Sequence, residues 1–303
     1  MRRFGPGLRQ HAAALRMLLA MTVITGIAYP AVITLAAQVP GLKHRADGSL
    51  VTVNGKVVGS SILGQSFTDA DGKPLVQYFQ SRPSAAGSGY DPTASGASNL
   101  GPESIVDTLP DPSAVTSNDA ADSGKQSLLT QVCARSLAVG RLEHVDGSRP
   151  YCTANGVGAV LAVFWSGPGY AGTITRVVSM NEQCPAAPFV ATYKTVTVAC
   201  ATFGEDLSRA QVVPIRGGAP SKPMVPADAV TASASGLDPD ISPAYARLQE
   251  PRIAQARRIS IAQVAALVKE HTRGRDLGFL GEPRIDVLEL NLDLDRTYPY
   301  HAS

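Results

Sequence analysis

Residues Met17–Ala37 read MLLAMTVITGIAYPAVITLAA and carry no charged side chain. As a helix at about 1.5 Å per residue, these 21 residues reach roughly 31 Å, the hydrocarbon thickness of a bilayer. Gly26 and Pro30 would weaken a soluble helix, but membrane-spanning helices tolerate both. Arg2, Arg3, Arg9 and Arg16 precede the run with no acidic residue among them, while Lys43 and Arg45 follow it and are soon offset by Asp47. The heavier basic flank stays cytoplasmic, which sends the remainder of the chain outside. A cleaved signal peptide is the competing reading. Its apolar region is normally about 7–15 residues, shorter than this one, and Thr34-Leu35-Ala36 is a weak cleavage site. The expectation is a basic cytoplasmic tail at 1–16, an uncleaved single-pass anchor at 17–37 and an extracytoplasmic remainder.

Beyond the anchor, composition excludes more than it selects. Of 303 residues, 44% are hydrophobic and 17% charged, and 27 basic against 25 acidic side chains leave a net charge of +2. Such a balance gives no electrostatic case for nucleic acid, and this hydrophobic share argues against long-range disorder. Aromatics are 6%, so the core is expected to be mostly Ala, Val, Ile and Leu.

Leu50–Val53 and Lys56–Val58 flank Asn54-Gly55, the favoured two-residue hairpin loop. Ser81–Pro102, SRPSAAGSGYDPTASGASNLGP, lacks periodicity and reads as a long loop. From Glu103 to about Val225 the character changes. Three runs read as strands, Val157–Trp165, Thr173–Met180 and Val190–Cys200, and all four cysteines, Cys133, Cys152, Cys184 and Cys200, fall here. This stretch is expected to be a separate β-rich insert. Outside the cytoplasm four cysteines favour two disulfides. Three pairings are possible, and Cys133–Cys152 with Cys184–Cys200 is preferred as the most local. A metal site is disfavoured, because no CxxC pair exists and His144 stands alone nearby.

After Pro226 the pattern turns helical. Ser242-Pro243 opens a helix expected to break or kink at Pro251. Ser260-Ile-Ala-Gln263 is a capping box, with Gly274 suited to the residue after the helix end and His271 read as a helix-end residue. Arg284–Leu294, RIDVLELNLDL, alternates leucines with polar residues and reads as a strand. The fold class is therefore α+β: one N-terminal transmembrane helix, then an extracytoplasmic mixed α/β domain interrupted by a β-rich insert.

No phosphate-cradling GxxxxGK[ST], no GxGxxG after a strand, no HExxH, no GxSxG and no SxxK is present. Two polar constellations remain. One is Arg82 with Ser84, Tyr90, Asp91, Ser95, Ser98 and Asn99. The other is Thr231, Ser233, Ser235, Asp238 and Asp240. They form a hydrogen-bonding site, or they satisfy backbone groups in tight loops, which is the simpler reading. Arg252, Arg257 and Arg258 read as a solvated helix face.

At these same loops the sequence resembles the C subunit of the Kdp potassium-transporting ATPase, a bacterial P-type pump complex. The matching stretches are Gly59–Phe67 (GSSILGQSF), Tyr78–Ser84 (YFQSRPS), Ala94–Pro102 (ASGASNLGP), Val230–Pro239 (VTASASGLDP), Ile241-Ser-Pro243, Arg252–Arg257 (RIAQAR), Leu277–Pro283 (LGFLGEP) and Val287–Leu292 (VLELNL). The family often has Gly where Ala97 stands and usually Asn where Asp286 stands, and ordinary members carry only a short helical segment in place of 103–225. The resemblance implies a family domain at 38–102 and 226–303. It implies a non-catalytic subunit that assembles with a channel-like potassium-translocating subunit and a P-type ATPase subunit in the plasma membrane. The complex, rather than this chain, then handles ATP and potassium, and the chain needs no cofactor of its own. The family is described as a catalytic chaperone that raises the pump's affinity for ATP, hence its association with ATP binding. The topology favours instead an external cap on the channel subunit. Arg82, Ser84, Tyr90, Ser95, Ser98, Asn99, Thr231, Ser233, Ser235 and Asp238 are then the candidate partner interface, and the insert is expected to be dispensable for assembly. A membrane-anchored hydrolase and a surface binding or adhesion module are the alternatives.

Overall fold

A computed structural model describes residues 6–86, 90–91, 93–96, 100–113 and 124–301, and its contacts divide the chain after Ile62 into two units. In the first, α1 (Pro6–Val23) and α2 (Tyr29–Ala37) are joined by a π-helical turn, Ile24–Ala28. Pro30 accounts for that turn. Its ring would press on the carbonyl four residues back, at Gly26, and it offers no N–H. The wider turn lets the Tyr29 N–H reach the Ile24 carbonyl instead. Arg9–Ala37 is the one candidate span among the described residues, a 29-residue helix whose most apolar 18-residue window has a mean hydropathy of 2.0. A short α3 (Lys43–Ala46) leads to the hairpin of β1 (Leu50–Val53) and β2 (Lys56–Ser60). Asn54 and Gly55 turn it at φ 50° and 76°, as the favoured two-residue loop requires.

The second unit holds a mixed α/β body. α4 (Leu128–Glu143) is capped by Ser127, whose hydroxyl accepts the Thr130 N–H. There follow β3 (Val160–Gly167), β4 (Ala171–Gln183), β5 (Thr192–Tyr193), β6 (Val196–Ala201) and β7 (Gln211–Pro214). They form one sheet in the order β5-β6-β4-β3-β7, in which β4 and β6 run parallel and the other pairs antiparallel. Both faces are covered, which explains the continuous apolar run of β3. Val160 and Ala162 pack with Val178 and Met180 on one side, Leu161 and Val163 with Val177 and Val198 on the other. Disulfides join Cys133 of α4 to Cys152 and Cys184, just past β4, to Cys200 of β6.

β8 (Asp240–Ile241), α5 (Pro243–Arg257), α6 (Ile261–Glu270), β9 (Ile285–Asp286) and α7 (Val287–Thr297) complete the body. Phe79, from the YFQS loop, is fully buried among Ile241, Tyr245, Ile253, Val264, Ile285, Leu290 and Leu294.

Three sequence expectations are corrected. Arg284–Leu294 is not a strand beyond β9. Its alternating leucines also satisfy helical spacing, with Val287, Leu290, Asn291 and Leu294 buried on one side, and Leu and Glu favour helix over the β-branched residues a strand prefers. Asp286 then caps α7 by accepting the Glu289 N–H at 2.8 Å. Secondly, α5 does not break at Pro251 but runs on to Arg257. Thirdly, Val190–Cys200 is a hairpin rather than one strand, turning at Lys194 and Thr195 with φ 44° and 73°. The β-rich 103–225 stretch also carries a helix. α4 lies within it, and Val132 and Val139 pack on the Phe79 core while Arg135 donates to the Val230 carbonyl at 3.1 Å. The capping box of α6 is present, but the helix ends at His271, three residues before Gly274.

Candidate functional site

The two polar loops flagged in the sequence meet. The Ser233 N–H donates to the Pro83 carbonyl and the Ala85 N–H to the Ser233 carbonyl, both at 2.8 Å. The Gly96 N–H reaches the Ala234 carbonyl at 2.7 Å. Arg82 Nη1 lies 2.6 Å from Asp238 Oδ2, and Nη2 donates to the Thr231 carbonyl at 3.2 Å. Ser84 Oγ accepts the N–H groups of Ala86 and Tyr90, and Tyr90 Oη donates to the Arg82 carbonyl at 2.5 Å. Burial pushes the Tyr90 hydroxyl up to about 12, so it remains a donor at any physiological pH. Ser235 Oγ accepts the Leu237 N–H. Glycine is required where the loops cross. A Cβ on Gly96 would stand 1.6 Å from the Ala85 carbonyl oxygen, and one on Gly236, at φ 68°, would stand 2.2 Å from Ser84 Oγ. Ser95 and Thr231 are exposed, whereas Ser233 is buried. Ser98 and Asn99 lie outside the described residues. The polar side chains thus fix one loop to the other, and the pair offers its outer rim, Thr231, Ala234 and Ser95, to solvent.

A second polar cluster was not anticipated. Arg252 and Arg257, expected on a solvated helix face, are buried, with side chains 5% and 0% exposed. Arg252 Nε lies 3.0 Å from Glu143 Oε1 of α4, itself 1% exposed, while Nη1 donates to the Val76 and Tyr78 carbonyls. Arg257 donates to the carbonyls of Gln77 and Tyr298 and pairs with Asp295, which also accepts the Tyr78 hydroxyl. Gln249 brackets Gln80 through its N–H and carbonyl, and Asn291 does the same for Phe79. Of the three arginines only Arg258, in a left-handed cap conformation, is exposed. The YFQS, RIAQAR and VLELNL stretches therefore converge: the helices replace water around an irregular buried loop. The signal that would have exposed this was glutamine and asparagine at core-facing helical positions.

Asp238 and Asp240 do not form a paired-carboxylate site, since each faces a different arginine, Asp238 facing Arg82 and Asp240 facing Arg284 at 3.5 Å. Among the described residues no three His, Cys, Asp or Glu side chains are grouped to hold a metal ion. His271 sits at the end of α6 with Nε2 3.0 Å from Asp293 Oδ2, and hydrogen bonds from His271 and Arg296 hold the Asp293 carboxyl below its ordinary range. Asp286 is displaced the other way. Burial, with Glu289 and Asp240 nearby, pushes its carboxyl up to about 6. The unfolded chain then releases this proton first, so stability falls as pH rises from about 4 to about 6. Asp286→Asn keeps a good cap without the charge. It is expected to gain up to about 3 kcal/mol at pH 7 and nothing near pH 4, read from chemical denaturation at both values. An equal gain at both would remove the buried charge as the cause.

A helix long and apolar enough to cross a membrane, followed by a mixed α/β body built on paired polar loops, defines a class of small chains with one candidate span. Residues 11–124 and 205–296 match the family described as KdpC, K+-transporting ATPase, c chain. The chain is 38% identical over 293 residues to a potassium-transporting ATPase KdpC subunit of Kineococcus radiotolerans, spanning 96% of each. It is 34% identical over 288 residues to the corresponding subunit of Mycobacterium tuberculosis, spanning 95% of this chain and 98% of that one. For Gemmatimonas aurantiaca the identity is 36% over 283 residues, spanning 93% and 90%. This chain belongs to the KdpC family. Alignments that span over nine-tenths of both chains mean that these relatives share the length outside the family match, between residues 124 and 205.

Proposed function

We propose that this chain is a non-catalytic subunit of an ATP-driven potassium uptake complex. Its single helix anchors it in a bacterial plasma membrane, and its α/β body stands outside. The family match across both halves of the body carries the reading. Two disulfides support an oxidising, extracytoplasmic setting, and the arginines before the span support the same orientation. The body caps a channel-like potassium-translocating subunit with the rim of the paired loops 82–96 and 231–238. ATP hydrolysis belongs to a P-type partner subunit, and any influence of this chain on ATP affinity is coupling through the membrane parts rather than contact.

The test is co-purification of the full-length tagged chain with the other subunits from native membranes. The wild type is expected to bring down a multi-span subunit and a P-type ATPase, and a chain recovered alone overturns the reading. In Arg82→Ala the loops lose the Asp238 and Thr231 bonds, about 1–2 kcal/mol of order. Partner recovery is then expected to fall about tenfold, and unchanged recovery would remove the paired loops from the interface.

A further inference from the structure

Residues 273–284, RGRDLGFLGEPR, form a finger that stands off the body between α6 and β9. Arg273 and Arg284 exchange backbone hydrogen bonds at its base, at 2.8 and 3.0 Å, and Asp276 and Leu280 do so near its tip, both at 2.9 Å. Leu277 and Gly278 make the turn at φ 53° and 82°. The tip is apolar and bare: Leu277 is 82% exposed and Phe279 69%, with Leu280 half-exposed beside them. No Cβ placed on Gly274, Gly278 or Gly281 would meet another atom within 4 Å. Large apolar side chains presented together at a projecting tip are uncommon on a free surface and mark contact sites.

We infer that this finger is an anchor that inserts Leu277 and Phe279 into an apolar pocket on another subunit of the same complex. The inference rests on the subunit reading above and names the side chains that carry assembly. Three observations favour a protein pocket over the lipid surface. First, the finger's arginines are each matched by an acid: Arg273 by Glu289, Arg275 by Glu282 at 2.7 Å and Arg284 by Asp276 at 3.3 Å. That leaves no unbalanced basic face to attract anionic headgroups, on which interfacial segments usually rely. Secondly, bonding at two levels presets the tip, so little conformational freedom is lost on docking, as in a protein hot spot. Thirdly, the finger is continuous with the paired loops, because Arg284 at its base also faces Asp240 and β9 pairs with β8 at the end of the 231–240 loop.

The experiment uses the full-length chain assembled with its partners in native membranes. Leu277→Ser/Phe279→Ser is expected to keep the wild-type melting temperature, since neither side chain packs on the body, while recovery of the partner subunits falls at least tenfold. In parallel, Phe279 is replaced by photoreactive p-benzoylphenylalanine and irradiated in the assembled complex, where a crosslink to a partner polypeptide is expected. Wild-type recovery from the double variant overturns the inference. So does a crosslink to lipid, which would make the finger a bilayer contact, or the absence of any crosslink. If the wild type itself recovers no partner, the subunit reading fails first; if only the variant arms fail, the subunit reading stands without the finger.

Discussion

Arg252→Ala is expected to be the most damaging single substitution in the body, costing about 3–5 kcal/mol. The cost comes less from the lost attraction than from what is left behind. Glu143 is 1% exposed, and without Arg252 it is a buried carboxylate that has lost its salt-bridge partner, while the Val76 and Tyr78 carbonyls lose their donor. Domains of this kind are typically stable by about 5–15 kcal/mol, so the variant falls near the threshold for folding. The damage should depend on pH. Burial already pushes the Glu143 carboxyl up despite Arg252, and unpaired it will take a proton more readily. Stability of the variant therefore declines as pH rises through the carboxyl's folded value, and urea denaturation should find it less impaired at pH 5 than at pH 8. An equal loss at both would show that packing rather than charge is at stake. Removing residues 104–223 deletes Glu143 altogether, so that truncation is expected to unfold the body instead of leaving assembly intact.

The second large effect concerns the disulfides. Cys133–Cys152 closes a loop of sequence separation 19 and Cys184–Cys200 one of 16. Loop-closure entropy assigns each about 3 kcal/mol. Cys133→Ser/Cys152→Ser should lower stability by about that amount, and so should Cys184→Ser/Cys200→Ser. The two losses should nearly add, since one pair tethers α4 and the other ties β4 to β6. Thermal melts with and without dithiothreitol read this directly: the wild type in reductant should approach the quadruple variant. If reductant changes nothing, the crosslinks are idle in the folded chain.

Several elements were legible because local physics dictated them. The uncharged run at 17–37, Asn54-Gly55 and the two serine caps each specify their structure within a few residues. The strand cores of β3 and β4 announced themselves as apolar runs. What stayed hidden was decided at long range. The spacing of the leucines in 287–294 fits a strand and a helix alike, and the helix preference of Leu and Glu, the Asp286 cap and the core contacts of Leu290 and Leu294 choose between them. Arg252 and Arg257 look like solvent-facing charge until the 76–80 loop supplies carbonyls to receive them. At the candidate site, composition marked the right loops but not their relation. That Ser233 is buried, and that Arg82 reaches Asp238, depends on a pairing more than 140 residues apart in sequence.

That separation has a consequence for the order in which the molecule is made. The strands of the central sheet and both disulfides join residues close in sequence, so they can form soon after they emerge. The segment 76–81 cannot, because its hydrogen-bond partners, Gln249, Arg252, Arg257 and Asn291, are synthesised some 170–215 residues later. At about 5–20 residues per second, that segment waits roughly 10–40 s, with Phe79 unburied, for the C-terminal helices to arrive. During that interval the nascent chain is a substrate for chaperones and proteases, and the last helix to be translated completes the clamp.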